Sequence, residues 1–123
     1  MFKNFLLVGL GGAIGSMLRY AISLLITVKH FPYSTFIVNI AGSFIIGAVL
    51  ALSLKNELFS NNWKIFLATG ICGGFTTFSA FAAENMALLQ TGKYGIAFMY
   101  ITASLLLGIA AVVLGFKLIT PNS

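Results

Sequence analysis

Two ionisable side chains sit inside long apolar runs of this sequence, Arg19 and Glu84. A charge in such a setting is expensive and by default marks function. Arg19 lies about two-thirds along its run. It serves either as a structural anchor, as the partner of Glu84, or as a positive charge that draws an anion into a water-filled vestibule. Glu84 lies nine residues beyond Phe75, which suits the mouth of a pore. A proton-coupled carrier would need such a carboxylate, but no second acid accompanies it within an apolar run.

The uncharged polar residues add donors. Asn39 offers an amide with two donor hydrogens and an acceptor oxygen. It is either interhelical glue or a donor aimed into a pore. Tyr100 and Ser104 are spaced i,i+4 and share one helical face. With Asn39, Thr77 and Ser79 they form a candidate polar strip drawn from three apolar segments. A strip of donors suits an acceptor-rich solute, that is, an anion.

These residues converge on the stretch Gly70-Ile71-Cys72-Gly73-Gly74-Phe75-Thr76-Thr77-Phe78-Ser79-Ala80-Phe81. Each glycine disfavours a helix by about 1 kcal/mol relative to alanine, and Thr or Ser can cap a restarted one. The stretch predicts a helix broken at bilayer depth. Backbone of that kind is tolerated only where it is buried in protein or lines a cavity. An opened backbone from Gly73 to Thr76 would expose carbonyls, which coordinate cations. Phe75, Phe78 and Phe81 follow at three-residue spacing. They either face lipid or pack the core, or they meet a dehydrated anion with their electropositive ring edges.

Four elements must position this chemistry. The 123 residues are 59% hydrophobic and 7% charged, with a mean hydropathy of +1.04. A soluble domain carries about 25% charged residues, so the solvent for most of this surface is lipid. Apolar segments run from Asn4 to Val28, Tyr33 to Leu54, Trp63 to Gln90 and Tyr94 to Ile119, each meeting the roughly 20 residues that a crossing requires. The expectation is an all-α membrane protein of four transmembrane helices, a single domain over residues 1–123. Lys3 and the apolar run after it resemble a signal peptide, but no A-x-A-like site closes the run, so it is read as mature chain.

The same inventory excludes other classes. The net charge of +5 is scattered singly and forms no nucleic-acid stripe. Cys72 is the only cysteine, and His30, in a connector, is the only histidine; neither has companions for a metal cluster. There is no Walker-type phosphate loop, and an intramembrane enzyme is not expected.

Topology is less decided by charge. Lys3, Lys55, Lys64 and Lys117 fall on the side of the termini, and Lys29 and Lys93 on the other, with Arg19 near that end. So weak a bias permits either one fixed orientation or insertion both ways up. The second case would yield an antiparallel two-fold dimer. Small residues at i,i+4 (Gly11 and Gly15, Ser43 and Gly47, Ser104 and Gly108, Ala111 and Gly115) predict close helix packing.

The motifs resemble those of the small fluoride channels of the CrcB/Fluc type over nearly the whole chain. Gly12 to Tyr20 is similar to that family's G-x-x-G-x-x-x-R, Asn39-Ile40-Ala41-Gly42 to its N-x-x-G, and Gly70 to Phe81 to its G-x-x-G-G-x-T-T-F-S-T-F. Only the last is specific by itself.

The resemblance implies a dual-topology antiparallel homodimer in the cell membrane with two pores for passive fluoride export, conferring fluoride resistance. It implies that Phe78 and Phe81 are pore phenylalanines, Asn39 a pore amide and Arg19 the vestibule arginine, with Ser79 and Glu84 beside the aromatics. Tyr100 and Ser104 belong to the same anion path, with less motif support. It also implies a structural Na⁺ held by the Gly73 and Thr76 carbonyls at the dimer interface. Phe75 falls outside the implied pore pair. Ala80 departs from the family pattern, which has Thr there, and removes one hydroxyl from the path. The rival readings are a proton-coupled carrier relying on Glu84 and a non-transporting membrane subunit.

Overall fold

The computed structural model describes residues 1–27, 31–56, 59 and 61–120. Lys29 and His30, which the sequence places in a connector, lie outside the described residues. All regular structure among those described is helical. Four segments, Phe2–Leu25, Tyr33–Lys55, Asn61–Gln90 and Tyr94–Ile119, are long and apolar enough to cross a membrane.

Helix α1 spans Phe2–Leu25. It stops three residues short of the expected Val28, because Ile26 turns extended at φ −108°, ψ 100°. Ile26 and Thr27 are both β-branched and fit an extended chain better than a helix end. Helix α2, Tyr33–Lys55, starts directly after Pro32, whose ring suits a helix entrance but not an interior.

The third segment is composite. Helix α3 covers Asn61–Lys64, a π-helical segment Ile65–Cys72, helix α4 Gly73–Phe75 and helix α5 Phe78–Gln90. Thr76 (φ −86°, ψ 157°) and Thr77 (φ −151°, ψ 119°) between them are extended. The glycines are therefore not where the chain opens, since Gly73 keeps helical angles of φ −62°, ψ −38°. Two adjacent β-branched threonines take the extended conformation instead. Thr77 then caps α5, its Oγ1 accepting from Ala80 N at 3.2 Å.

A tight turn leads from α5 into α6, Tyr94–Ile119. Gly92 has φ +76°. Lys93 N donates to Leu88 O at 2.8 Å and Gly92 N to Leu89 O at 3.2 Å, the paired bonds of a Schellman helix end, which requires a left-handed residue.

The glycines serve close packing. A Cβ on Gly11 would lie 2.6 Å from Phe66 O and 2.8 Å from Gly70 Cα. One on Gly15 would meet Ile71 O, and one on Gly74 would meet Gly12 O. So α1 lies backbone to backbone on the π segment and α4. Gly47 against Val112 O and Gly115 against Phe44 O do the same for α2 and α6. In lipid, where burial of apolar surface gains little, such close approach supplies the van der Waals attraction that joins helices. Val38, Ala51, Ala97 and Tyr100 are buried, while Leu10, Leu24, Phe98 and Leu106 are exposed.

Candidate ion site at the helix interruption

The extended pair Thr76-Thr77 disturbs the hydrogen bonding around it. In a continuous α-helix, Gly73 O would accept from Thr77 N, Gly74 O from Phe78 N, Phe75 O from Ser79 N and Thr76 O from Ala80 N. Here Thr77 N donates to Asn39 Oδ1 at 2.8 Å, and Ala80 N donates to Thr77 Oγ1. The displaced acceptors are met unequally. Gly74 O accepts from Arg19 Nε at 3.1 Å; Thr77 O, the N-cap carbonyl of α5, additionally accepts from Asn39 Nδ2 at 3.2 Å. Among the described residues the Gly73, Phe75 and Thr76 carbonyls receive no such donor. Thr76 fastens the preceding helix end, both its N and its Oγ1 donating to Cys72 O, at 2.9 and 2.8 Å.

A cavity of about 360 Å³ opens beside this interruption. Asn39, Gly73, Thr76, Phe78, Phe81 and Ser104 all line it. The Ser104 hydroxyl is buried there without a protein partner. Phe78 and Phe81 stand 5.9 Å apart, with their planes tilted by 43°. Phe78 is 78% exposed, so an apolar ring at the cavity edge has little cover from its own chain. The helix restart sets these faces: α5 begins at Phe78 and carries Phe81 one turn on.

Glu84 anchors a second layer. Its Oε2 accepts from Thr35 Oγ1 at 2.7 Å and its Oε1 from Tyr100 OH at 2.8 Å. Tyr100 is completely buried and meets the Phe81 ring edge-on at 4.9 Å between centroids. The chain α2–Glu84–Tyr100–Phe81 thus joins α2, α5 and α6 behind the pair of phenylalanines. Glu84 is not paired with Arg19, which binds Gly74 O instead.

The expected polar strip is only partly assembled. Ser104 reaches the cavity, whereas the Tyr100 hydroxyl is committed to Glu84. Ser79 is exposed, 3.3 Å from Thr77 Oγ1. Arg19 does not line the cavity, but it reaches the same interruption from α1. Phe75 is half-buried, the last residue of α4.

Sequence reasoning missed Thr35 and Asn85. Thr35 is buried and supplies half of the Glu84 bonding. Its position four residues before Asn39 on α2 was the available signal. Asn85 is also buried, with Nδ2 donating to Phe81 O at 2.9 Å and Oδ1 unpaired. An amide next to a carboxylate inside an apolar run could have been singled out on cost alone.

What the arrangement can do chemically follows from its atoms. Free carbonyls suit a hard cation. Ring edges, a hydroxyl and the second Asn39 N–H suit a small anion that must leave its water behind.

Residues 6–116 match the family described as CrcB-like protein, Camphor Resistance (CrcB). The chain is 50% identical over 121 residues to the fluoride-specific ion channel FluC of Azobacteroides pseudotrichonymphae, covering 96% of this chain and 97% of that one. It is 48% identical over 119 residues to FluC of Thermus thermophilus, with 94% of each chain covered. It is 42% identical over 121 residues to FluC 1 of Listeria monocytogenes, covering 96% of this chain and 98% of that one.

Proposed function

The chain belongs to the CrcB family, and from that premise we propose that it is a fluoride-selective channel that exports cytoplasmic fluoride passively. It is a multi-pass protein of the cell membrane and not an enzyme. The observation that carries the reading is the cavity at the helix interruption, where Phe78 and Phe81 stand beside Asn39 and the unpartnered hydroxyl of Ser104.

The physics favours a small anion. Fluoride holds its water tightly, so a pore must offer replacement donors. Selectivity then follows from pore width and from the donors that line it. Chloride is larger and does not fit between ring edges set for fluoride. Glu84 accepts two hydrogen bonds, which suits a fixed carboxylate that holds Tyr100 behind Phe81 more than a proton carrier. Arg19, tied to the same interruption, keeps a positive charge near the anion's entrance.

The working unit in this reading is an antiparallel homodimer of dual topology, with the helix interruption at bilayer depth. A second copy would cover the exposed Phe78 and close the open cavity. It would also bring a second pair of Gly73 and Thr76 carbonyls to the axis. A Na⁺ there fits the residues present, since both carbonyls are among those left without donors. Opened backbone of this type supplies cation ligands in other membrane proteins. The ion would join the two copies and lower the cost of an anion nearby, because charges interact strongly where the dielectric is low.

The test is fluoride efflux from liposomes carrying purified protein, with Phe78→Ile beside wild type. The expected result is fluoride flux far above that of chloride in wild type and loss of it in the variant. Wild-type flux no greater than that of empty liposomes, or equal chloride flux, refutes the function. Unaltered flux in Phe78→Ile refutes the assigned path.

A further inference from the structure

The cation reading requires a carbonyl that helix geometry ordinarily consumes, and the following inference rests on that reading. Gly73 has helical angles, so its carbonyl points toward the position where Thr77 N would sit in a continuous helix. Thr77 N is elsewhere, donating to Asn39 Oδ1 at 2.8 Å. Asn39 Nδ2 returns a bond to Thr77 O at 3.2 Å. This two-point clamp holds both peptide groups of one extended residue.

We propose that Asn39 is a positioning residue for the cation site: by clamping Thr77 it keeps the Gly73 carbonyl out of the helix and leaves it for the ion. The surroundings support a fixed clamp. Ser43 Oγ donates to Asn39 O at 2.7 Å. The Thr76 methyl packs on Gly42, one turn along α2, where no Cβ would fit. The neighbouring acceptor, Gly74 O, is taken by Arg19. The donor for Thr76 O is diverted to the Thr77 cap. Side chains thus answer or divert the groups around the interruption, and Gly73 O and Thr76 O are among the carbonyls left free. An amide has a second N–H, so Asn39 can hold the cation site open and still offer one donor to the cavity it lines. One residue then ties cation occupancy to the anion path.

The experiment measures the melting temperature of the purified dimer against Na⁺ concentration, with N-methylglucamine keeping ionic strength constant. Wild type should show a saturable rise. Asn39→Leu removes the acceptor, so Thr77 N returns to Gly73 O. The half-saturating Na⁺ should rise by at least about tenfold, equivalent to roughly 1.4 kcal/mol. Asn39→Ser is the second variant, too short to reach Thr77 and less disruptive to packing. Asn39→Asp keeps an acceptor for Thr77 N and should hold the wild-type midpoint or lower it. A purely structural role would lower all melting curves and leave the midpoint unmoved. An unmoved midpoint in both Leu and Ser variants, or an equal loss in the Asp variant, overturns the proposal. A wild type indifferent to Na⁺ overturns the cation reading itself, and the proposal falls with it.

Discussion

Gly15→Ala adds one methyl group where α1 meets the interruption. Its Cβ would stand 2.8 Å from Phe75 N and 3.1 Å from Gly74 C, and would also run into Ile71 O. Ordinary contact begins at 3.4 Å, so the nearest nitrogen alone demands a shift of about 0.6 Å, and the carbonyl demands more. All three obstacles are backbone, and no side chain can rotate away. Overpacking of this kind costs about 1–3 kcal/mol, and a rigid obstacle places it near 3. The melting temperature should fall by about 10 °C. Gly9→Ala is the control on the same helix, because a Cβ there meets nothing within 4 Å. It should not lower the melting temperature, and the gain in helix propensity approaches 1 kcal/mol. Thermal unfolding of the two variants in detergent, each against wild type, reads the difference. Fluoride flux gives the second readout, since the displaced atoms are the carbonyl frame around Arg19 and Gly74. Equal melting of the two variants would refute the backbone-to-backbone seating of α1.

Thr35→Val and Tyr100→Phe each remove one hydroxyl donor from Glu84. Each should cost about 1.5–3 kcal/mol, the range for bonds to charged groups. Unfolding of the two single variants and the double should show coupling, because they share one carboxylate; strict additivity would argue against a shared site. Ala80→Thr restores the hydroxyl that the family pattern carries at this half-buried position. Fluoride flux should rise with selectivity unchanged, and an unaltered rate would remove position 80 from the path.

Much of the fold was legible because lipid imposes length and composition on a span, and the long apolar segments carry that imprint. The starts of α2 and α6 follow from Pro32 and from the Gly92 turn. The small-residue pairs read as packing faces, and Gly11, Gly15, Gly47 and Gly115 are seated on neighbouring backbone. The chemistry at the interruption was legible as residue types but not as bonds. The glycines marked the place, yet Thr76 and Thr77 are the extended residues. The cause is tertiary: Asn39 and Arg19 arrive from other helices to bind the released peptide groups. Tyr100 and Ser104 share a face by spacing, but Glu84 takes one hydroxyl and leaves the other at the cavity. No periodicity in one segment encodes a partner on another.

The π-helical segment Ile65–Cys72 has a consequence for insertions and deletions. Each π turn holds a residue more than an α-helical path would need. Removing one residue there would let the segment relax into an ordinary helix while still long enough to cross. A residue lost from the regular helical turns beside it has no such slack, and would rotate everything that follows by about 100°. Gly73, Thr76 and both phenylalanines would then face a different neighbour. The spare residue in this stretch therefore decides where a length change is tolerated: a loss within the π turns leaves the ion site near its partners, and the same loss in the α-helical turns beside it turns the site away.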